Sequence, residues 1–513
     1  MHILMLNPPF LKSYSRQSRS PCVTKGGTIY YPYYLAYATG ALENAGYKPV
    51  LIDAVTREWG HKETVEFAKK ENFDLIICES STPSITNDLV VTRKLKEALP
   101  GSHITLVNTH PTNMPEWTLQ NGRGLDSVCR GEYDNTAVFL AQALEKNKPL
   151  NEVPGISFRD NGGISHTGPS KLVENLDELP FVSEIYLRHF GEELIKKYFY
   201  ASITWPEIQI LTARGCYYNC SFCNIPMKKS YRPRSIKNAV DEFEFIQNNM
   251  PFLSEVMLED DTFPMQKERT IQFCDALIAK GIDITWSCNA RVNTDEEMMR
   301  KIKEAGCRLM CVGFESPTQT SLNSVIKGQT KDMQVEFKKK ADKMGLLVNG
   351  CFILGLPTDT AESMKNTIEF AKFINPNTAQ FYPMMVYPGT GAYAWAKNSG
   401  FLETEDFSRW LTEDGLHRTT VSKPELTSDD VLHWCNKARL EFYTNPKYLS
   451  KMIKQAALHP REAVRIAKGT KVLFRHMARY MFSGEARINA RTNNLKPAEE
   501  RGEEIPILQQ HEH

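Results

Sequence analysis

Over its first 150 residues the chain alternates short apolar runs with amphipathic stretches. The runs His2–Leu6, Pro49–Asp53, Asp74–Glu79, His103–Asn108 and Ser127–Arg130 predict strands, and Tyr34–Ala45, Lys62–Glu71 and Ile85–Ala98 predict helices between them. Strand and helix in this rhythm predict an α/β domain with a doubly wound parallel sheet. Ligands of such sheets sit beyond the carboxyl ends of the strands. Those ends carry Asn7-Pro8-Pro9, Ser80-Ser81-Thr82-Pro83, Asn108-Thr109-His110-Pro111 and Gly131-Glu132. Such residues suit a binding rim and equally suit ordinary turns.

Residues 151–205 read as a connector, with a hairpin turn at Asn161-Gly162-Gly163. From 206 to 398 the alternation resumes, with strands expected at Ile208–Thr212, Glu255–Glu259, Thr285–Asn289, Arg308–Gly313, Leu347–Leu354 and Thr378–Tyr382. Six βα units predict a partial (βα)6 barrel of the TIM type, with chemistry at the strand ends. Residues 399–486 read as a helical C-terminal domain, and 487–513 as a polar, disordered tail.

With 513 residues, several domains are expected; 41% hydrophobic and 24% charged residues are those of a soluble globular chain. A net charge of +1 gives no reason to expect nucleic acid as a partner. The start MHILMLNPPF has neither a charged leader nor a cleavage site, and no apolar run reaches 18 residues, so a cytoplasmic location is expected. Twelve cysteines in that setting read as reduced thiols and metal ligands.

Three of them stand in Arg214-Gly215-Cys216-Tyr217-Tyr218-Asn219-Cys220-Ser221-Phe222-Cys223, just after an apolar strand. Thiolates select iron–sulfur clusters or zinc, and structural zinc wants four ligands, usually as two close pairs. No second pair stands at a matching spacing. Three cysteines leave one cluster iron without a protein ligand, open to substrate or cofactor. Cys274, Cys288, Cys307, Cys311 and Cys351 fit buried packing residues better than a second cluster.

The C-x3-C-x2-C loop resembles the signature of the radical S-adenosylmethionine (SAM) superfamily. Leu258-Glu259-Asp260-Asp261-Thr262-Phe263, Cys288-Asn289-Ala290-Arg291-Val292-Asn293, Gly313-Phe314-Glu315-Ser316, Cys351-Phe352-Ile353-Leu354-Gly355-Leu356-Pro357 and Tyr387-Pro388-Gly389-Thr390 follow in that family's order. The resemblance implies a [4Fe–4S] cluster on Cys216, Cys220 and Cys223. It also implies SAM contacts from Asp260, Arg291, Glu315, Gly355 and Pro357. Reductive cleavage of SAM would then give a 5′-deoxyadenosyl radical, with a ferredoxin or flavodoxin as electron donor.

Asn7-Pro8-Pro9, the turn from Thr109 and His110 to Glu116, and Arg130-Gly131-Glu132 resemble the Rossmann-like cobalamin-binding domain of one large subgroup. That subgroup includes methyltransferases, the anaerobic magnesium-protoporphyrin ester cyclase and hopanoid- and lipid-modifying enzymes. Asn7, Pro8, Thr109, His110, Gly131 and Glu132 are the implied cobalamin rim, although the D-x-H-x-x-G motif of other cobalamin proteins is absent. With cobalamin, the expected reaction is methylation of an unactivated carbon; without it, cyclisation or carbon–carbon coupling on a lipid-like substrate. A non-catalytic metal or cobalamin carrier is the rival from another class, and a methylthiotransferase the third reading.

Between Lys447 and Arg479, nine Lys and Arg residues face one acid, Glu462, with apolar residues interleaved. A basic amphipathic helix of this kind fits an anionic membrane surface, and equally a helix whose apolar stripe packs on the core.

Overall fold

A computed structural model describes residues 1–225 and 230–458, with 463, 466 and 467. The first apolar runs form β1 (Ile3–Asn7), β2 (Val50–Asp53), β3 (Leu75–Glu79), β4 (His103–Val107) and β5 (Ser127–Cys129), paired in parallel in the order β2-β1-β3-β4-β5. Ile3, Met5, Leu75 and Ile77 face the core shared with helix Tyr33–Asn44, whereas Leu4, Leu6, Ile76 and Cys78 face helix Ile85–Ala98. Burial on both faces is why these strands read as continuous apolar runs without alternation.

Two strands within 151–205 extend this sheet. β6 (Ile156–Asp160) pairs antiparallel with β5, and β7 (Gly163–His166) with β6. Asn161 and Gly162 take φ of 44° and 85° between them, the left-handed pair of a two-residue hairpin. Helix Val182–Ile195 then leads to the second sheet.

That sheet contains β8 (Glu207–Ile210), followed by a two-residue ribbon of β9 (Ala213–Arg214) and β10 (Arg232–Pro233). It continues with β11 (Glu255–Leu258), β12 (Thr285–Ala290), β13 (Cys307–Glu315), β14 (Leu347–Leu354) and β15 (Thr378–Pro383). The order β15-β14-β13-β12-β11-β8 is parallel throughout, a half-barrel. A half-barrel leaves two strand edges that must be satisfied. Tyrosines do this here. Along β8, Tyr31 Oη donates to the Glu207 carbonyl, and Tyr37 Oη accepts from the nitrogen of Leu211 just beyond the strand. On β15, Tyr443 Oη donates to the Ala379 carbonyl and accepts from its nitrogen.

Beyond the barrel the expected helical domain begins later than predicted. Residues 400–427 hold the short turn Phe407–Trp410 and isolated bridges such as Leu402 to Val421, and helices Ser428–Tyr443 and Pro446–Leu458 follow. The irregular stretch carries aromatic side chains that pack elsewhere: Phe407 lies against His110 and Trp117 of the first domain. No helix among the described residues is long and apolar enough to cross a membrane. The tail 487–513 and most of the basic segment past 458 lie outside the described residues.

Candidate active site between two strand edges

The cysteine loop leaves β9 and returns through β10, so a two-stranded ribbon closes its base. Arg214 is buried and pairs with Asp134 at 2.7 Å and Glu132 at 3.1 Å. Arg232, opposite it, pairs with the other oxygen of Glu132. Two acids of the first domain thus anchor both arms of the loop. Asp260 accepts from Thr212 N and Oγ1, each at 2.6 Å, and Asp261 accepts from Gly215 N at 3.2 Å. In the middle, Ser221 N donates to the Val325 carbonyl and Ser221 O accepts from Ala392 N, both at 3.0 Å.

Cys216 and Cys220 are buried and Cys223 is half-buried. Among the described residues no group of three His, Cys, Asp or Glu converges on a single ion. Thiols held apart on one loop suit a multi-iron cluster, in which each thiolate binds a different iron. Burial raises the Cys216 thiol above its ordinary range. A metal must therefore supply the charge that displaces its proton.

Beside the loop lies a charged platform. Arg291 Nη1 stands 3.7 Å from Cys220 Sγ, its Nη2 donates to the Lys327 carbonyl, and its guanidinium stacks 3.7 Å over the Tyr218 ring. Its Nε is buried with no partner. Lys327 Nζ contacts Glu315 Oε1 at 2.5 Å, both groups being almost fully buried. They lie over Gly313, where a Cβ would fall 2.7 Å from Lys327 Nζ and closer still to Glu315. Ile326, β-branched yet at φ 55°, and Glu315, at φ 62°, hold this corner in left-handed backbone. Cations for a carboxylate and a carboxylate for an ammonium, next to three thiols, fit the amino-acid end of SAM.

The remaining sequence-predicted residues divide. Asp260, expected at the cofactor, accepts from Thr212 with both oxygens, and burial raises its pKa to about 6. Gly355 takes φ 82° and sits so close to Val431 that a Cβ would meet it at 2.8 Å; Asp359 holds the turn through the nitrogens of Gly355 and Leu356. The Pro357 carbonyl accepts from Lys423. Glu259, one residue before Asp260, is buried with Oε1 unpartnered and faces Arg19 at 3.3 Å.

At the first sheet, Asn7 and Pro8 do not form an open rim. Arg16 donates to Asn7 Oδ1 at 2.9 Å and to the Pro8 carbonyl at 2.6 Å, and pairs with buried Asp88 at 2.5 Å. Gln17 and Tyr133 both donate to Glu79 at the end of β3, whose carboxyl burial raises to about 8. Residues 16 and 17 thus fill the switch point between β1 and β3, where ligands of doubly wound sheets usually enter. His110 is also turned inward. It is fully buried between Trp117 and Phe407, bonded through Nδ1 to Thr82, and burial lowers its pKa to about 3. Glu132 serves the cysteine loop. Thr109 Oγ1 is buried without a partner among the described residues, and Gly131 N donates to Thr112 Oγ1. This rim faces the barrel, since Asn113 lies directly against Gly389, and Ser20 Oγ bonds Tyr387 at 3.0 Å.

Two family models match, in the order of the two sheets: the B12 binding domain over residues 19–141 and the Radical SAM superfamily over 210–371. The second spans the cysteine loop and the platform. The chain carries a radical SAM domain. This radical SAM chain is 28% identical over 456 residues to an uncharacterized methyltransferase of Pyrococcus horikoshii, covering 88% of this chain and 95% of the relative. It is 27% identical over 372 residues to the anaerobic magnesium-protoporphyrin IX monomethyl ester cyclase of Rubrivivax gelatinosus, covering 70% and 64%. Among solved structures, it shares its fold with the cobalamin-dependent SAM radical enzyme OxsB (TM-score 0.69, 17% identity, 93% of this chain and 71% of that one). The radical SAM methyltransferase TsrM of Kitasatospora setae also aligns (TM-score 0.63, 16% identity, 79% of each chain).

Proposed function

We propose that this enzyme is a cobalamin-dependent radical SAM methyltransferase that acts on an unactivated carbon of a small-molecule or lipid-like substrate. The observation that carries the reading is the opposition of the two strand edges: the rim of a B12-type domain meets the cysteine loop through Glu132 and Asp134. When bound, the cluster with SAM supplies a carbon radical, and cobalamin supplies a transferable methyl group. Cys216, Cys220 and Cys223 would hold the cluster, and Arg291, Lys327 and Glu315 the amino-acid end of SAM. Thr109 and Gly131 would border the corrin, and His110, enclosed by Trp117 and Phe407, is not assigned to it. A cytoplasmic setting with a ferredoxin or flavodoxin donor belongs to the same reading. So does contact with a membrane surface, which the exposed Leu449, Ile453 and Leu458 of helix Pro446–Leu458 support.

The products of SAM test this. The cobalamin-loaded protein, given SAM and a low-potential reductant, is expected to release both S-adenosylhomocysteine and 5′-deoxyadenosine. Release of 5′-deoxyadenosine alone would remove methyl transfer and leave cyclisation or carbon–carbon coupling.

A further inference from the structure

A cavity of about 580 Å³ lies along β15 from Thr378 to Pro383, between the open side of the half-barrel and helices Ser428–Tyr443 and Pro446–Leu458. Its volume is that of a small-molecule site. It reaches the barrel interior at Tyr30, Ser202 and Asn349, and includes Tyr382 near the carboxyl end of β15. At its other side stand Leu449, Met452 and Ile453, of which Leu449 and Ile453 are exposed. Most of the lining is apolar, so a wholly polar metabolite would lose its hydration there without recompense.

Two cations interrupt that lining. Lys25 Nζ donates to Asn436 Oδ1 at 2.8 Å, and Arg439 Nη1 donates to the same oxygen at 3.0 Å. Arg439 gives its other arm to the Phe381 carbonyl. Neither forms an ion pair among the described residues, although both are half-buried and share one acceptor. Burial, and then the neighbouring Arg439, hold the Lys25 ammonium well below the usual lysine range. Two cationic groups that share one neutral amide oxygen in an apolar pocket cannot both stay charged without cost, and an anion between them would remove that cost. Across the cavity, His417 bonds Ser20 and is held neutral, its pKa lowered to about 4 by burial and then by the same two cations, so it adds no third positive charge.

We infer that this cavity is the substrate site and that it takes an elongated apolar molecule with one anionic head, a carboxylate or a phosphate, which seats on Lys25 and Arg439. The inference rests on the reading of the barrel as the reaction chamber and supplies the chemistry of what enters it. The apolar body lies against β15 and reaches toward the strand ends, and the head stays at the pair of cations.

The test uses the full-length holoprotein and the fluorescent fatty acid cis-parinarate. Saturable fluorescence with about one site per chain is expected, with displacement by dodecanoate or dodecyl phosphate at roughly tenfold lower concentration than by dodecanol, since charge-assisted bonds are the stronger kind. Whichever anion displaces better identifies the head. Replacing both Lys25→Met and Arg439→Met should weaken parinarate about tenfold or more without changing iron content, and Lys25→Arg should keep most of the affinity. Equal displacement by dodecanol, unchanged binding in the double variant, or no saturable site would overturn the inference. Binding needs no SAM cleavage, so a protein that binds parinarate but forms no 5′-deoxyadenosine would contradict the functional reading alone. One that cleaves SAM but binds no parinarate would contradict this inference alone.

Discussion

Cys220→Ala protein, prepared without oxygen and reconstituted with iron and sulfide, should form 5′-deoxyadenosine from SAM no faster than a protein-free control. The loss is expected to be complete because three thiols are all that the loop offers, and a cluster with two protein ligands cannot keep a defined open iron. Cys220 also stands 3.7 Å from Arg291 Nη1, so its removal leaves a buried guanidinium nitrogen without its acceptor next to the SAM platform. The control is Cys274→Ala, in helix Lys267–Ala279 and equally buried but remote from the loop, which should keep both iron and activity. Wild-type-like 5′-deoxyadenosine formation by Cys220→Ala would remove the cluster assignment. It would also revive the reading of a non-catalytic metal carrier.

The second large effect is on stability. Arg214→Met leaves Asp134 and one oxygen of Glu132 facing an apolar side chain at the junction of the two domains. Breaking one partner out of a buried ion pair costs about 3–5 kcal/mol, because the remaining charge has lost its counterion and not recovered its water. Here the guanidinium also stands 4.9 Å over the Tyr37 ring, which adds to the loss. Calorimetry should show a lower melting transition, and the variant should bind less iron, because the base of the cysteine loop is no longer held. Adding Asp134→Leu should recover part of the loss, since the orphaned acid goes with its partner. A melting curve identical to the parent's would show that the domain junction does not depend on this pair.

The sheets were legible for a physical reason. Parallel strands covered on both faces tend to be apolar without alternation, so Ile3–Leu6 before Asn7 and Leu75–Cys78 before Glu79 stand out from the windows around them. The cysteine loop was legible because spacing on one short loop is a local property. Lys327, Arg16, Arg19 and Arg214 were not. Each is a single charged residue whose partner no local window reveals: Asp88 is 72 positions from Arg16, Asp134 is 80 from Arg214 and Glu259 is 240 from Arg19, and even Glu315, only 12 from Lys327, meets it across a left-handed corner. Asp260 carried a signal that was available. Strand alternation runs from Glu255 through Met257 to Glu259 on the face turned toward Arg19, which places Asp260 on the opposite face, toward Thr212. The enclosure of His110 was not legible, because a histidine at a strand end looks the same in sequence whether it is open or closed in by Trp117 and, from nearly 300 residues away, Phe407.

The central claim is that one chain holds an iron–sulfur cluster and a cobalamin on facing strand edges. The most direct measurement is the iron, sulfide and cobalamin content of protein purified without oxygen, reconstituted, incubated with excess hydroxocobalamin and desalted. About four iron, about four sulfide and about one cobalamin per chain are predicted. A full complement of iron with no retained cobalamin would contradict the account and leave the first domain as a platform for substrate.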